Sequence, residues 1–168
     1  LMRSISTRLI ICAMALLLLA VPVFGNSAGP PATQGSDLTA EVGCTCHGGG
    51  VPSADVIVSI SGMPNTYNIS TTYNFTITVD SPDANAAGFL MTDYDAGNFT
   101  WADDLKIIYS NNMNGTISHS DPNAEKSWSI SWTSPSQDSG VIRFALVGNA
   151  VNLNAANDDG DLWSIRYF

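Results

Sequence analysis

From Thr72 to Asp80 the chain reads TYNFTITVD, which puts Tyr73, Phe75, Ile77 and Val79 on one face and Asn74, Thr76, Thr78 and Asp80 on the other. Apolar and polar positions alternating with period two predict a strand buried on one side. The run DVIVSISG before it and WSISW after it, with Trp128, Ile130 and Trp132 facing inward, repeat the same logic. GFLMTDY, LKIIYS, VIRFALVG and LWSIRYF add further short β-rich runs. Turn chemistry separates them at Gly62-Met63-Pro64, Ser81-Pro82, NNMNG, SPSQDSG and NDDGD. No segment keeps a helical period over three turns. About seven short strands divided by frequent turns predict an all-β fold, an Ig-like antiparallel β-sandwich.

The N-terminal end has a different pattern. Arg3 and Arg8 precede the apolar run LIICAMALLLLA, followed by Pro22 and the small residues VFGNSAG. A charged start, a short apolar stretch and a small-residue site read as a secretory signal peptide cleaved after Gly25. The run is shorter than the ~20 residues that a spanning helix needs, so no stable membrane span is expected after cleavage. Cys12 follows Ile10 and Ile11 rather than small residues, which argues against a lipid anchor there. The expected organisation is a signal peptide at 1–25, a polar Pro/Gly-containing leader at 26–43, a cysteine/histidine segment at 44–50 and a β-sandwich at 51–168.

Charge narrows the partners. Asp and Glu number 15 against 6 Lys and Arg, a net charge of −9. Such a chain repels nucleic-acid phosphates, so nucleic acid is not an expected partner. Export leaves two cysteines in the mature chain, Cys44 and Cys46, in a compartment that permits disulfides.

Those two cysteines belong to EVGCTCHGGG, residues 41–50. Two thiols followed directly by His47 suit three chemistries. A c-type haem would be tethered through the thiols, with His47 on the iron. Two thiolates and two imidazoles would suit zinc or copper, with His47 and His119 as the metal-ligating histidines. A Cys44–Cys46 disulfide would close a very small ring, stabilise little and leave His47 and the three glycines unexplained. Glycines 48–50 allow backbone to pack closely against a flat group. His119, in TISHSDPN, is the other histidine and the candidate second axial ligand; taken by itself it reads as a solvated turn residue.

In order, the leader, the Cys-Cys-His-Gly cluster, VIVSISGMPN, Gly88-Phe89-Leu90, a histidine ahead of WSISWTSP, GVIRFALVGNAVN and GDLW resemble the Reeler-like family of secreted β-sandwiches also called choice-of-anchor V domains. The resemblance covers roughly residues 29–163. It rests on W-x-x-x-W-x-x-P at 128–135, then G-x-I-x-F at 140–144 and G-N-A-V-N at 148–152. It implies an extracellular sandwich. Many members carry Cys-x-x-Cys-His ahead of the first strand, which implies haem attachment, and often a histidine where His119 stands. This chain departs from that pattern: Cys44-Thr45-Cys46-His47 has one residue between the thiols instead of two.

Other groupings say less. DYDAGN (Asp93, Asp95) and NDDGD (Asp158, Asp159, Asp161) offer oxygen ligands for calcium, but neither forms a full calcium loop and solvated acidic turns are the expectation. Four Asn-x-Ser/Thr triplets begin at Asn68, Asn74, Asn98 and Asn114, and Asn74 should point outward. Trp128, Trp132 and Trp163 read as core. No nucleophile elbow, phosphate loop or Ser-His-Asp pattern is present, so the chain is not expected to be an enzyme. The sequence therefore predicts an exported cell-surface β-sandwich carrying haem c or a redox metal at Cys44, Cys46, His47 and His119, with an electron-transfer partner. The alternative is a structural or adhesive surface module, with a disulfide, zinc or copper at the same cluster and cell-surface proteins as partners.

Overall fold

The computed structural model describes Gly29 and residues 51–110, 113–154, 158 and 160–168. Cys44, Cys46, His47 and, Gly29 apart, the signal peptide and leader lie outside the described residues. Among the described residues, nine antiparallel strands form two sheets. They are β1 Ile57–Ser61, β2 Thr72–Asp80, β3 Ala86–Thr92, β4 Asn98–Phe99, β5 Leu105–Ser110, β6 Met113–His119, β7 Ser127–Thr133, β8 Ala145–Val151 and β9 Leu162–Tyr167. One sheet has the order β1-β2-β7-β4 and the other β5-β6-β3-β8-β9. The fold is an all-β sandwich.

Alternation along β2 sends Phe75, Ile77 and Val79 inward while Thr72, Asn74 and Asp80 stay exposed. Along β7 it sends Trp128, Ile130 and Trp132 to the same side, in register with Ile77, Phe75 and Tyr73 of β2. Facing them across the sandwich are Ala87, Phe89 and Met91 of β3, Ile117 of β6 and Leu146 of β8. Complete burial of each such large apolar side chain contributes roughly 1.5–3 kcal/mol before entropy is counted. β3 lies in the middle of its sheet and is buried along its whole length. The sheets pack tightly at Gly148, where an added Cβ would stand 2.4 Å from Val58 Cγ1 and 2.7 Å from Val79 Cγ2.

Four readings change in detail. The stretch NNMNG is not wholly a turn, because Met113 already pairs with Ser110 and starts β6. His119 is the last residue of that strand and is 8 % exposed, so it is not a solvated turn residue. Trp163 is buried, as expected, but in a second cluster with Leu90, Ala145 and Val147 rather than in the main core. Alternation explains this: its pairing partner is Asn149, whose neighbours Gly148 and Ala150 face the core side. The strand read as starting at Val141 begins at Ala145, after Phe144 has paired its backbone with Phe168.

Candidate functional site

His119 occupies a gap in the β3–β6 ladder. The paired positions run Thr92↔Thr116, Met91↔Ile117 and Leu90↔Ser118, and stop there. Beyond them the imidazole takes the place of a backbone partner for Phe89. Its Nδ1 lies 2.9 Å from the Phe89 amide nitrogen and 2.9 Å from the Phe89 carbonyl oxygen. Ser118 Oγ donates to the same carbonyl at 2.8 Å. Gly88 makes the space: a Cβ there would be 2.3 Å from Cε1 and 2.5 Å from Nε2 of the ring. Trp128 and Phe89 complete the surroundings, with ring centroids 6.4 and 6.2 Å from the imidazole.

Both neutral tautomers find a partner in this niche. With Nδ1 as acceptor it receives the Phe89 N–H, Ser118 satisfies the carbonyl, and the proton is on Nε2. With the proton on Nδ1 it donates to the Phe89 carbonyl, and the lone pair is on Nε2. The second form is the one metal-binding histidines use, since a backbone carbonyl on one ring nitrogen orients the other toward the metal.

Described backbone approaches this region from both sides of the N-terminal cluster. An added Cβ on Gly29 (φ +75°) would be 2.6 Å from Ser118 Oγ and 2.9 Å from the His119 carbonyl. After the cluster, Ser53 donates its N–H to the Trp163 carbonyl at 2.7 Å. Trp163 pairs with Asn149, and Asn149 with Gly88, so one row of residues links Ser53 to the imidazole.

No known family profile matches the chain, and no curated protein matches it. Among solved structures it is similar to the Reelin-N domain of F-spondin, with a TM-score of 0.43 and 16% identity over 67% of this chain and 86% of that one. Two crystal structures of the human F-spondin reeler domain give TM-scores of 0.42 and 0.39 at 15% identity, covering 68% and 66% of this chain and 91% of each of those. Reeler domains are among its structural neighbours. Neither the choice-of-anchor V likeness nor the cysteine cluster is addressed by these structures.

The acidic turns use their carboxylates internally. Asp93 is 1 % exposed, and its Oδ2 accepts 2.7 Å hydrogen bonds from Trp132 Nε1 and from the Gly97 N–H. Burial pushes its pKa up from the ordinary 3.8, against the lowering effect of those bonds. Asp95 Oδ1 caps the Gly115 N–H at 2.7 Å. Asp158 accepts from Asn154, Gly160 and Asn152, and these bonds hold its pKa down. Asp161 is buried and accepts the Asn152 N–H at 3.2 Å. Asp159 lies outside the described residues. Among the described residues no group of three or more His, Cys, Asp or Glu is placed to hold a metal ion. No described helix is long and apolar enough to cross a membrane.

The Asp93–Trp132 pair was missed in the sequence, where Asp93 read as a solvated turn residue. A signal was present: a buried indole N–H seeks an acceptor, and Trp132 had been assigned to the core.

Proposed function

We propose that the chain is an exported β-sandwich module that carries a c-type haem on its Cys44-Thr45-Cys46-His47 segment and takes part in electron transfer at the cell surface. Cys44 and Cys46 would tether the group, His47 would bind on one side, and His119 would supply the second nitrogen. The haem would contribute one-electron exchange. The protein's own part is to hold and orient these groups.

The observation that supports this reading is the seat of His119. A buried imidazole anchored through Nδ1 by a peptide carbonyl is prepared to bind iron through Nε2. Chain length is compatible with the pairing. His47 is six residues before Ser53, a reach of up to about 20 Å. From Trp163 to Gly88 is two strand spacings, about 10 Å. The same chemistry would accept zinc or copper.

A second reading has its own observation. The Phe89 N–H points at Nδ1, and in that tautomer His119 fills the ladder and serves the fold alone. The chain is then a structural or adhesive surface module, with its cysteines in a disulfide.

Single substitutions separate the two in mature protein from an exporting host with haem-attachment machinery. On the haem reading, His47→Ala loses the low-spin spectrum, and His119→Ala keeps covalent haem but shifts it toward a high-spin spectrum. If His119→Ala leaves the spectrum of a coloured protein unchanged, His119 is not the second ligand.

A further inference from the structure

A separate cleft of about 930 Å³ opens between the β1–β2 loop, the start of β2, the end of β7 and the residues before β8. Its size suits a small-molecule site, which typically measures ~300–1,000 Å³. Aromatic rings build it around Trp132. Phe144 meets the indole edge-on, with centroids 5.1 Å apart at 76°, and Tyr67 does so at 6.5 Å and 80°. Tyr73 lies more nearly parallel, at 6.3 Å and 29°.

Internal hydrogen bonds fix both tyrosines. Tyr67 Oη accepts the Ser139 N–H at 2.9 Å and donates to Asp138 Oδ1 at 3.3 Å. Tyr73 Oη accepts the Asn68 N–H at 2.7 Å. The walls are thus pre-set, and little ordering is left for a ligand to cause. At the edges Ile69 is 52 % and Val141 94 % exposed, large apolar side chains left in water beside the opening.

Charge selects the occupant. Asp138 is the one charged residue among the described residues that line the cleft, and no lysine or arginine lines it. An anion would find no counter-charge among the lining side chains, although Arg166 stands over the ring of Phe168 at one edge, and it would meet a chain of net charge −9. A cation gains from the carboxylate, from the chain's field and from the negative faces of the aromatic rings. We propose that this cleft binds an organic cation with an apolar body, an alkyl or quaternary ammonium compound, held by Tyr67, Tyr73 and Trp132 with Asp138 at its edge. This site is independent of the cofactor reading.

The test titrates the mature protein with choline, with its uncharged isostere 3,3-dimethyl-1-butanol, and with benzyltrimethylammonium, following the Trp132 indole N–H by NMR. Choline should bind at least about five times more tightly than the neutral isostere. Benzyltrimethylammonium, which fills more of the cleft, should bind more tightly than choline. Asp138→Asn keeps the oxygen that caps the Gly140 N–H, so the loop is retained, and it should reduce the preference for the charged compound. Equal binding of choline and its isostere overturns the proposal. So does an undisturbed Trp132 signal at tens of millimolar, or an unchanged preference in Asp138→Asn.

Discussion

Replacing Trp132 with phenylalanine tests the buried carboxylate of Asp93. The substitution keeps a ring among Tyr67, Tyr73 and Phe144 but deletes the Nε1–H that donates to Asp93 Oδ2 at 2.7 Å. Asp93 retains the Gly97 N–H on that oxygen, and its Oδ1 has no hydrogen-bond partner among the described residues. A hydrogen bond to a charged group contributes about 1.5–3 kcal/mol, one between neutral groups about 0.5–1.5 kcal/mol. The cost of Trp132→Phe should therefore be about 1 kcal/mol greater when Asp93 is ionised than when it is protonated. The sign follows from linkage. Burial raises the folded-state pKa above 3.8, so the folded protein holds this proton more tightly than the unfolded chain. The stabilising contribution is complete below 3.8 and is lost as pH rises through the raised value. Removing the indole donor raises that value further and enlarges the loss. Urea unfolding of the parent, Trp132→Phe, Asp93→Asn and the double variant between pH 3 and 7 measures this. Asp93→Asn should gain on the parent as pH rises, and the Trp132→Phe penalty should lose its pH dependence in the double variant. A Trp132→Phe penalty that is constant across this range would refute the reasoning.

Two further outcomes concern packing. Gly148→Ala puts a methyl group into Val58 and Val79 of the facing sheet, and should lower stability by about 1–3 kcal/mol in the same urea assay. His119→Ala leaves the buried Phe89 N–H without its acceptor and should cost at least about 1–3 kcal/mol in the cofactor-free protein, whereas a solvated turn histidine would cost within about 0.5 kcal/mol.

How much of this was legible in the sequence varied by element. β2 and β7 could be read because both alternate strictly and present large apolar groups at every inward position. β6 could not. Its first residues, Met113-Asn114-Gly115, carry turn chemistry, and its described inward apolar contribution is Ile117. Its outward Thr116 and Ser118 are buried polar residues, which period-two reading takes for solvent-facing ones. Missing that strand also misplaced His119, the one candidate haem ligand among the described residues. The same limit applied at Asp93. Short-range pattern identifies an acidic turn, but the burial of that turn depends on Trp132, which comes from a strand 39 residues further along. The cysteines were conspicuous in the sequence because the chemistry of Cys-x-Cys-His is local. Strand order within the sheets, by contrast, depends on pairings that local pattern does not encode.

Covalent haem at Cys44 and Cys46 can be read directly from the absorption spectrum of mature protein before and after dithionite, followed by haem staining on a denaturing gel. A haem-bearing chain should show a sharpened α band on reduction and stain that travels with the polypeptide. A colourless protein with intact β structure, made by a host that attaches haem to a control cytochrome, would contradict the haem reading.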